Sequence, residues 1–395
     1  MRYLKKNITF NFLKQCPYED KSTLMKKLVA VTAFLLGTFN IVAQITNVEI
    51  KFDLPIVLNE SSGAIFFNNR LITHNDGGNE NKLYELDTIS GLVTRIVTII
   101  NATNVDWEDL AQDQTSIYIG DIGNNSGART DLKIYKINKS DYLLSTDVSA
   151  EIINLSYADQ VDFTPNPNQT EWDAEALMSF DNNNLLLFTK NWVNGTTKAY
   201  PIPKNSGTYA VNALTTTLTN AGLITGATYN PLTEKIYLIG YNLTLQPFVW
   251  VCENFTNTDV FSGINTQTFL TGLGFEQAEA ITHINANRYF ITSESFNISP
   301  FSDTAKLISF TTNDNVLSVV VQATRGINLY PNPVKNILFI EGQELNLIEI
   351  YDTKSALVYR GFDQTVNVSA LNKGLYLIKI NFKDGTNTIK KIIKE

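Results

Sequence analysis

The sequence predicts an all-β protein: a β-propeller of five blades, or six if one long interval hides a degenerate blade, followed by a small antiparallel β-sandwich. Three observations carry this. One layout recurs: a short opening, an apolar strand, a polar turn and a second β run. It spans Gly63 to His74, Glu108 to Asp121, Glu175 to Lys190, Gly226 to Tyr241 and Glu279 to Glu294, and the last three copies share one spacing. The chain is 44% hydrophobic and 18% charged, rich in Tyr, Phe, Val, Ile and Thr beside Asn and Gly, which suits strands joined by polar turns. Near Arg325 the pattern changes to short alternating strands over about seventy residues, the signature of a separate sandwich.

At the N-terminus, residues 25–43 place two lysines before an apolar core, Leu28 to Leu36, and end on Ile41-Val42-Ala43. That is the order of a secretory signal peptide, too short for a spanning helix. Residues 1–24 are polar and read as an upstream extension, with Met25 as the start; the alternative is a long n-region. The mature chain is expected to begin near Gln44 and to carry no transmembrane span.

Residues 45–54 alternate apolar and polar and form a strand ahead of the first repeat. Outer strands are expected before the other repeats at Val93–Ile100, Ala150–Leu155, Ala213–Leu218 and Thr266–Leu270, so the N-terminal strand is placed to complete the last blade. A closed ring removes unpaired sheet edges. Third strands are expected at Lys82–Asp87, Leu132–Ile137, Thr197–Ile202, Pro247–Cys252 and Lys306–Phe310. The interval from Glu108 to Glu175 is longer, and residues 157–172 within it read as a loop insertion. The propeller is assigned to residues 44–325 and the sandwich to 326–395.

The C-terminal segment carries Leu329-Tyr330-Pro331-Asn332-Pro333-Val334, then Ile350-Tyr351-Asp352, Leu371-Asn372-Lys373-Gly374-Leu375-Tyr376 and Lys390-Lys391-Ile392-Ile393-Lys394. It resembles the type A C-terminal sorting domain of the type IX secretion system, found in Bacteroidetes. One departure is Lys354-Ser355-Ala356, where family members carry a Gly turn. The resemblance implies that this domain is an export address read by the secretion machinery at the outer membrane, giving a secreted or cell-surface protein. The preceding body carries Glu60-Ser61-Ser62-Gly63, His74-Asn75-Asp76, Asp106-Trp107-Glu108-Asp109 and Asp173-Ala174-Glu175. It resembles secreted propellers related to the esterase-like domain associated with phytases and to the SdiA-regulated group, which at fold level implies little about chemistry.

Formal net charge is −8, but residues 44–325 hold 15 Lys and Arg against 30 Asp and Glu, while the last seventy residues are near +2. An acidic body argues against binding a phosphate backbone, hence no nucleic acid, and favours cations or simple solubility. Two His and one mature cysteine, Cys252, exclude a structural zinc site.

Aligning the repeats brings Glu108, Glu175 and Glu279 to one position, alongside Gly63 and Gly226, with Asp106 and Asp173 two residues earlier. The second runs end on His74, Asp121, Lys190, Tyr241 and Glu294. In a propeller such positions ring one channel, and three carboxylates on one ring repel unless a cation, a raised pKa or water relieves them. Calcium fits best, because oxygen ligands abound, and the expected ligands are Glu108, Glu175 and Glu279 helped by Asp106, Asp121 and Asp173. The glutamates also suit plain blade-to-blade hydrogen bonding. His74, beside Asp76 and Asp121, is the candidate general base; His283 reads as exposed. No strand–Gly–helix phosphate loop or nucleophile elbow is present in the sequence. Two functional classes follow: a calcium-binding hydrolase of phosphoesters, esters or lactones, or a non-catalytic extracellular module for a small molecule or glycan.

N-terminal sequencing of secreted protein is expected to start near Gln44; a terminus upstream of Met25 overturns the leader assignment.

Overall fold

The computed structural model describes residues 45–316, 327–342, 345–353, 356–382 and 387–395. The expected leader and upstream extension, and the chain around Arg325, lie outside these residues.

Strand β1 (Thr46–Asp53) precedes β2 (Ser61–Phe67), β3 (Arg70–Asn75), β4 (Lys82–Leu86) and β5 (Val93–Ile99). Then come β6 (Trp107–Gln112), β7 (Ser116–Asp121), β8 (Lys133–Asn138), a single helical turn and a half (Lys139–Leu144), β9 (Asp147–Val148) and β10 (Glu151–Tyr157). The third group is β11 (Ala174–Ser179), β12 (Asn184–Thr189), β13 (Ala199–Pro203) and β14 (Gly207–Val211); the fourth is β15 (Leu223–Asn230), β16 (Lys235–Tyr241), β17 (Pro247–Glu253) and β18 (Ile264–Phe269). The last comprises β19 (Gln277–His283), β20 (Arg288–Glu294), a small hairpin β21 (Phe296–Ile298) and β22 (Phe301–Asp303), and β23 (Lys306–Thr311).

Apart from the β21-β22 hairpin, these form five sheets, ordered β2-β3-β4-β5-β9, β6-β7-β8-β10-β14, β11-β12-β13, β15-β16-β17-β18 and β19-β20-β23-β1. Their first strands touch in sequence, β2 to β6 to β11 to β15 to β19 and back to β2, giving a propeller-like ring. As expected, β1 completes the fifth sheet from the other end of the chain, pairing Thr46 with Thr311 and Asp53 with Lys306. Residues 158–173 contain no strand.

One expectation is corrected. Ala213–Leu218 is no outer strand; its backbone bonds to the third sheet are the Thr197–Leu218 bridge and the Leu214-to-Ala199 bond, and Leu214 and Leu218 pack beside Leu186 and Phe188. The chain before it, β14, runs instead to the edge of the second sheet and pairs parallel with β10, as β9 does with β5. Both additions cover an edge that would otherwise offer free backbone groups.

The cores lie between neighbouring sheets. The run Leu185-Leu186-Leu187-Phe188 shows why its strand is apolar on both faces. Leu185 and Leu187 pack toward the second sheet with Ile134, Ile153 and Leu155, and Leu186 and Phe188 pack toward the fourth with Ile224, Ile236 and Leu238. Sheets four and five meet through aromatic rings, with Tyr289 stacked on Phe310 at 4.8 Å and tilted against Tyr237 at 4.4 Å.

At the middle of the ring sits Asp109, fully buried. Its Oδ1 accepts the amide of Leu110 at 2.7 Å, and its Oδ2 accepts the amides of Leu177 at 2.9 Å and Ala227 at 3.2 Å, with the Ala64 amide also helping to hold the charge. One carboxylate thus ties the first strands of four sheets. Burial pushes its carboxyl well up, and these amides pull it back.

The C-terminal segment contains β24 (Asn328–Tyr330), β25 (Ile337–Glu341), β26 (Leu345–Tyr351), β27 (Leu357–Gly361), β28 (Thr365–Asn367), β29 (Gly374–Phe382) and β30 (Asn387–Lys394). They form two sheets, β24-β25-β28 and β27-β26-β29-β30. Alternate residues share one core, including Leu338, Ile340, Ile348, Ile350, Ile378 and Ile380. The motif residue Asn332 has a structural duty: its amide nitrogen donates to Lys391 O at 3.0 Å and its oxygen accepts the Ile393 amide at 2.9 Å, pinning the last strand. On either side of the departure from the family pattern, the Asp352 amide donates to Ala356 O and the Ala356 amide donates to Asp352 Oδ1.

Asp109→Ala is expected to leave the amide donors without an acceptor and to destabilise the protein by about 3–9 kcal/mol, at about 1–3 kcal/mol for each unmade buried bond. Asp109→Asn, which keeps one acceptor oxygen, loses less. Chemical denaturation of the two variants checks this; parent-like stability of Asp109→Ala contradicts the role.

Candidate functional site

Every inner hairpin carries a β-bulge at the same place. One residue is extra between Trp107↔Asp121 and Asp109↔Gly120, between Ala174↔Thr189 and Ala176↔Phe188, between Ile224↔Gly240 and Gly226↔Ile239, and between Ala278↔Ser293 and Ala280↔Thr292. In the first sheet the shift falls between Ser61↔Asn75 and Ala64↔Thr73. A bulge re-aims its side chain. The equivalent positions are therefore Ser62, Glu108, Glu175, Thr225 and Glu279.

This corrects the alignment drawn from sequence. Gly63 and Gly226 do not stand with the glutamates; they stand one place on, with Asp109, Ala176 and Ala280. Likewise His74 is level with Gly120, and Asp121 with Asn75. The residues that share a level at or just past the ends of the second strands are Asp76, Ile122, Lys190, Tyr241 and Glu294. For the first hairpin the physical reason is its short turn. It closes on two residues, Asn68 and Asn69, both with positive φ, whereas the third, fourth and fifth use four.

At the two small bulge positions the side chain ties neighbouring sheets: Ser62 Oγ donates to Glu108 O at 2.6 Å and Thr225 Oγ1 to Ala278 O at 2.6 Å. At the other three, buried glutamates face a set of carboxylates at one end of the ring. Most of that set is partnered. Lys190 Nζ is 2.5 Å from Glu175 Oε2 and 3.3 Å from Tyr241 Oη, beside the Trp192 ring at 5.1 Å. Burial works against this ammonium, but Glu175 and its acidic neighbours hold its pKa well above the ordinary lysine value. Asp173 accepts Trp192 Nε1–H and the Asn124 amide, each at 2.7 Å. Asp121 Oδ1 accepts Arg129 Nη2–H at 2.8 Å and the Asp106 amide at 3.1 Å, while its Oδ2 is buried without a partner. Glu294 accepts Gln277 Nε2–H at 2.8 Å.

Asp76, whose Oδ1 accepts the Gly77 amide at 2.5 Å, remains without a cationic partner together with Asp106 and Glu108. One carboxylate oxygen from each lies within 4.8 Å of the others, and among the described residues no ion pair reaches them. Asp76 and Asp106 are half-buried and Glu108 is buried. The grouping joins Glu108 to Asp76, a residue expected only as a companion of His74, while the neighbouring Glu175 is held by Lys190. The backbone shapes the place: a side chain at Gly77 would collide with the Asp106 carboxylate, and one at Gly123 with those of Glu108 and Asp106. The inserted loop braces this wall, since Asn166 and Asn168 donate their amides to Ser126 O and Asn125 O, and Gln160 Nε2–H donates to Gly127 O.

Burial, and next the Asp76 carboxylate, push Asp106 up to about 7. Burial also raises Asp76, and burial followed by Glu175, Asp76 and Asp106 raises Glu108 well above its ordinary value. Burial lifts Glu279 to about 7 against the pull of Lys190.

His74 is fully buried, with its Nδ1–H donated to Asn75 O at 2.9 Å and its ring edge-on to Trp107 at 5.5 Å. Burial brings its pKa down to about 4, so the imidazole is neutral at pH 7. Trp107 is buried with Nε1–H bonded to Thr103 O, a core role. His283, expected to be exposed, is half-buried and bonded to Thr228 Oγ1 at 3.0 Å.

Residues 328–395 match the secretion system C-terminal sorting domain. The protein is secreted or displayed at the cell surface. The match implies interaction with the type IX secretion machinery, and among the described residues no helix is long and apolar enough to cross a membrane. No curated protein matches the chain. Among solved structures, the PQQ-bound aldose sugar dehydrogenase of Streptomyces coelicolor aligns at 8% identity and TM-score 0.43, over 67% of this chain and 98% of that one. The Malassezia sympodialis allergen Mala s 1 aligns at 8% identity and TM-score 0.42, over 69% and 98%. Likeness at this level carries no functional information.

The raised carboxyls set a pH dependence. Groups whose folded pKa exceeds the unfolded value stabilise the fold below the ordinary carboxylate pKa of about 4, and that contribution is lost as pH rises through the folded value. In chelator, the melting temperature is expected to fall between about pH 4 and the pKa near 7 of Asp106 and Glu279, and Asp106→Asn is expected to flatten part of the slope. A parent profile that rises over this window contradicts it.

Proposed function

We propose that this exported protein is a five-bladed propeller that binds calcium at the acidic end of its ring and acts as a hydrolase of phosphoesters, esters or lactones. The observation that carries the reading is the juxtaposition of Asp76, Asp106 and Glu108, three carboxylates with no cationic partner, on a backbone wall kept clear by Gly77 and Gly123. An all-oxygen donor set suits a hard cation of calcium type, and Asp121, whose Oδ1 accepts the Asp106 amide, keeps a buried Oδ2 without a hydrogen-bond partner. The fit modifies the set expected from sequence: Glu108 and Asp106 stay, Asp76 joins, Glu175 serves Lys190, and Asp173 buttresses Trp192 and Asn124. Calcium bound there would polarise a phosphoryl or carbonyl oxygen. Glu279, with a carboxyl near 7, supplies proton transfer at neutral pH, and Lys190 supplies a fixed positive charge for a developing oxyanion. The division into a 44–325 propeller and a separable 326–395 export address belongs to the same proposal, as does the kinship with the esterase-like and SdiA-regulated propellers.

A second reading, a non-catalytic extracellular binding module, is favoured by one observation: His74, the candidate base, is shut into the core with Nδ1 committed to a carbonyl.

Calcium at 100 times its dissociation constant is expected to stabilise the protein by about 2.7 kcal/mol. That gain should be lost in Asp106→Asn and retained in Glu175→Gln. Glu279→Gln should keep the calcium response but lose turnover of nitrophenyl phosphate, nitrophenyl acetate or a lactone. Melting curves identical with calcium and with chelator reject the calcium site; a calcium response without turnover of any of the three selects the second reading.

A further inference from the structure

The opposite end of the ring holds a cavity that the acidic site does not use. The carboxylates gather where first strands begin and second strands end. The cavity, of about 530 Å³, opens among the turns joining first to second strands, with walls from Gln114, Phe180, Asn182, Tyr229, Pro231 and His283. Below it a chamber of about 30 Å³ continues along the ring, walled by Thr228 and Thr282 and sharing Gln112, Ser179, Tyr229 and His283 with the cavity above. The chamber has room for a water molecule; the cavity has the size of a small-ligand site.

The chemistry of the walls is selective. Their charged groups are already committed. Lys204 Nζ lies 3.1 Å from Asp113 Oδ2 and donates to Asp181 O at 2.6 Å and Ser179 Oγ at 2.8 Å. Asp113 Oδ1 accepts the amides of Thr115 and Ser116, each at 2.9 Å, and Asp181 Oδ1 accepts those of Asn183 at 2.7 Å and Asn184 at 2.6 Å. Of the uncharged polar groups, Gln112, Ser179 and His283 are bonded within the protein, whereas the exposed side-chain amides of Gln114 and Asn182 and the half-buried Tyr229 hydroxyl have no hydrogen bond to the described residues. Beside them, the half-buried rings of Phe180 and Tyr229 stand 5.3 Å apart, with Phe255 5.8 Å behind Phe180.

We propose that this cavity binds a neutral saccharide of mono- or disaccharide size. A pyranose presents a C–H face, slightly positive, which settles on the negative face of an aromatic ring. Its hydroxyls both donate and accept, matching free amides and a phenol that do the same. An anionic sugar meets the Asp113 and Asp181 carboxylates without a spare cation, so a phosphorylated sugar is disfavoured. The site is independent of the acidic end in residues and in chemistry.

The test uses the mature full chain, with cellobiose, maltose and lactose as probes and glucose 6-phosphate as the charged comparison. Saturation-transfer NMR and calorimetric titration are run in calcium and in excess chelator. At least one neutral disaccharide is expected to bind in both buffers, with transfer strongest to ring C–H protons, and glucose 6-phosphate to bind more weakly. Phe180→Ala should weaken binding about tenfold, the order of one lost aromatic contact with its burial. Asn182→Ala, at an exposed turn where folding is not at stake, should weaken it severalfold, and Asp106→Asn should leave it unchanged. Absence of binding by all three disaccharides overturns the proposal. So does binding indifferent to both Phe180→Ala and Asn182→Ala, and so does binding abolished by chelator, which would move the sugar to the acidic end.

Discussion

A single buried carboxylate, Asp109, holds the centre of the ring. Five sheets radiating from one axis converge where there is no room for large side chains, and their first strands approach with backbone donors facing inward. Asp109 accepts amides from its own strand, from the neighbouring first strand at Leu177 and from the next first strand round at Ala227. The packing of small residues at the same level, Gly63, Ala176, Gly226 and Ala280, follows from this convergence: a Cβ at Gly63 would meet His74 and the backbone of Asp109 and Leu110, and one at Gly226 would meet the backbone of Glu279 and Ala280. The inter-sheet cores then fill the space that widens outward from the axis.

One step along each strand, the bulges decide how acidity is distributed. Where the bulge residue is Ser or Thr, its hydroxyl closes a bond to the next sheet. Where it is Glu, the side chain joins an acidic end whose members divide into two groups. Glu175, Asp121 and Asp173 have Lys190, Arg129 or Trp192 as partners. Asp76, Asp106 and Glu108 have one another. Carboxylates left together in a half-buried place are stabilised by protons or by a cation, so the unequal allocation of partners is what turns a ring of acids into a candidate site. The far end is built the other way, with charges spent on turns and neutral groups left free.

Much of this was legible in the chain. Apolar runs bounded by Asn, Asp and Gly marked the inner strands, and the lone alternating segment 45–54 read correctly as the strand that completes the last sheet, because a ring without it would end in an open edge. The motif around Asn332 marked the export domain. Less legible was anything that depends on strand register. The outer run Ala213–Leu218 had strand-like composition, yet β14 took the neighbouring edge, since edge pairing is chosen by what lies alongside in space. His74 and Asp121 ended the apolar runs in sequence, but the bulge and the shorter first turns carried Asp76 and Ile122 to the level of Lys190, Tyr241 and Glu294.

The sequence by itself determined the all-β character, the repeat, the acidic body and the destination of the protein, because periodicity, composition and a contiguous motif are local and survive without coordinates. Only the tertiary structure decided which carboxylates meet. Asp76 follows the second strand of the first sheet and Glu108 lies in the first strand of the second, and Asp109 bonds to residues 68 and 118 positions away. Such contacts depend on one-residue shifts at bulges and turns, and a shift of one residue in a strand turns a side chain to the other face.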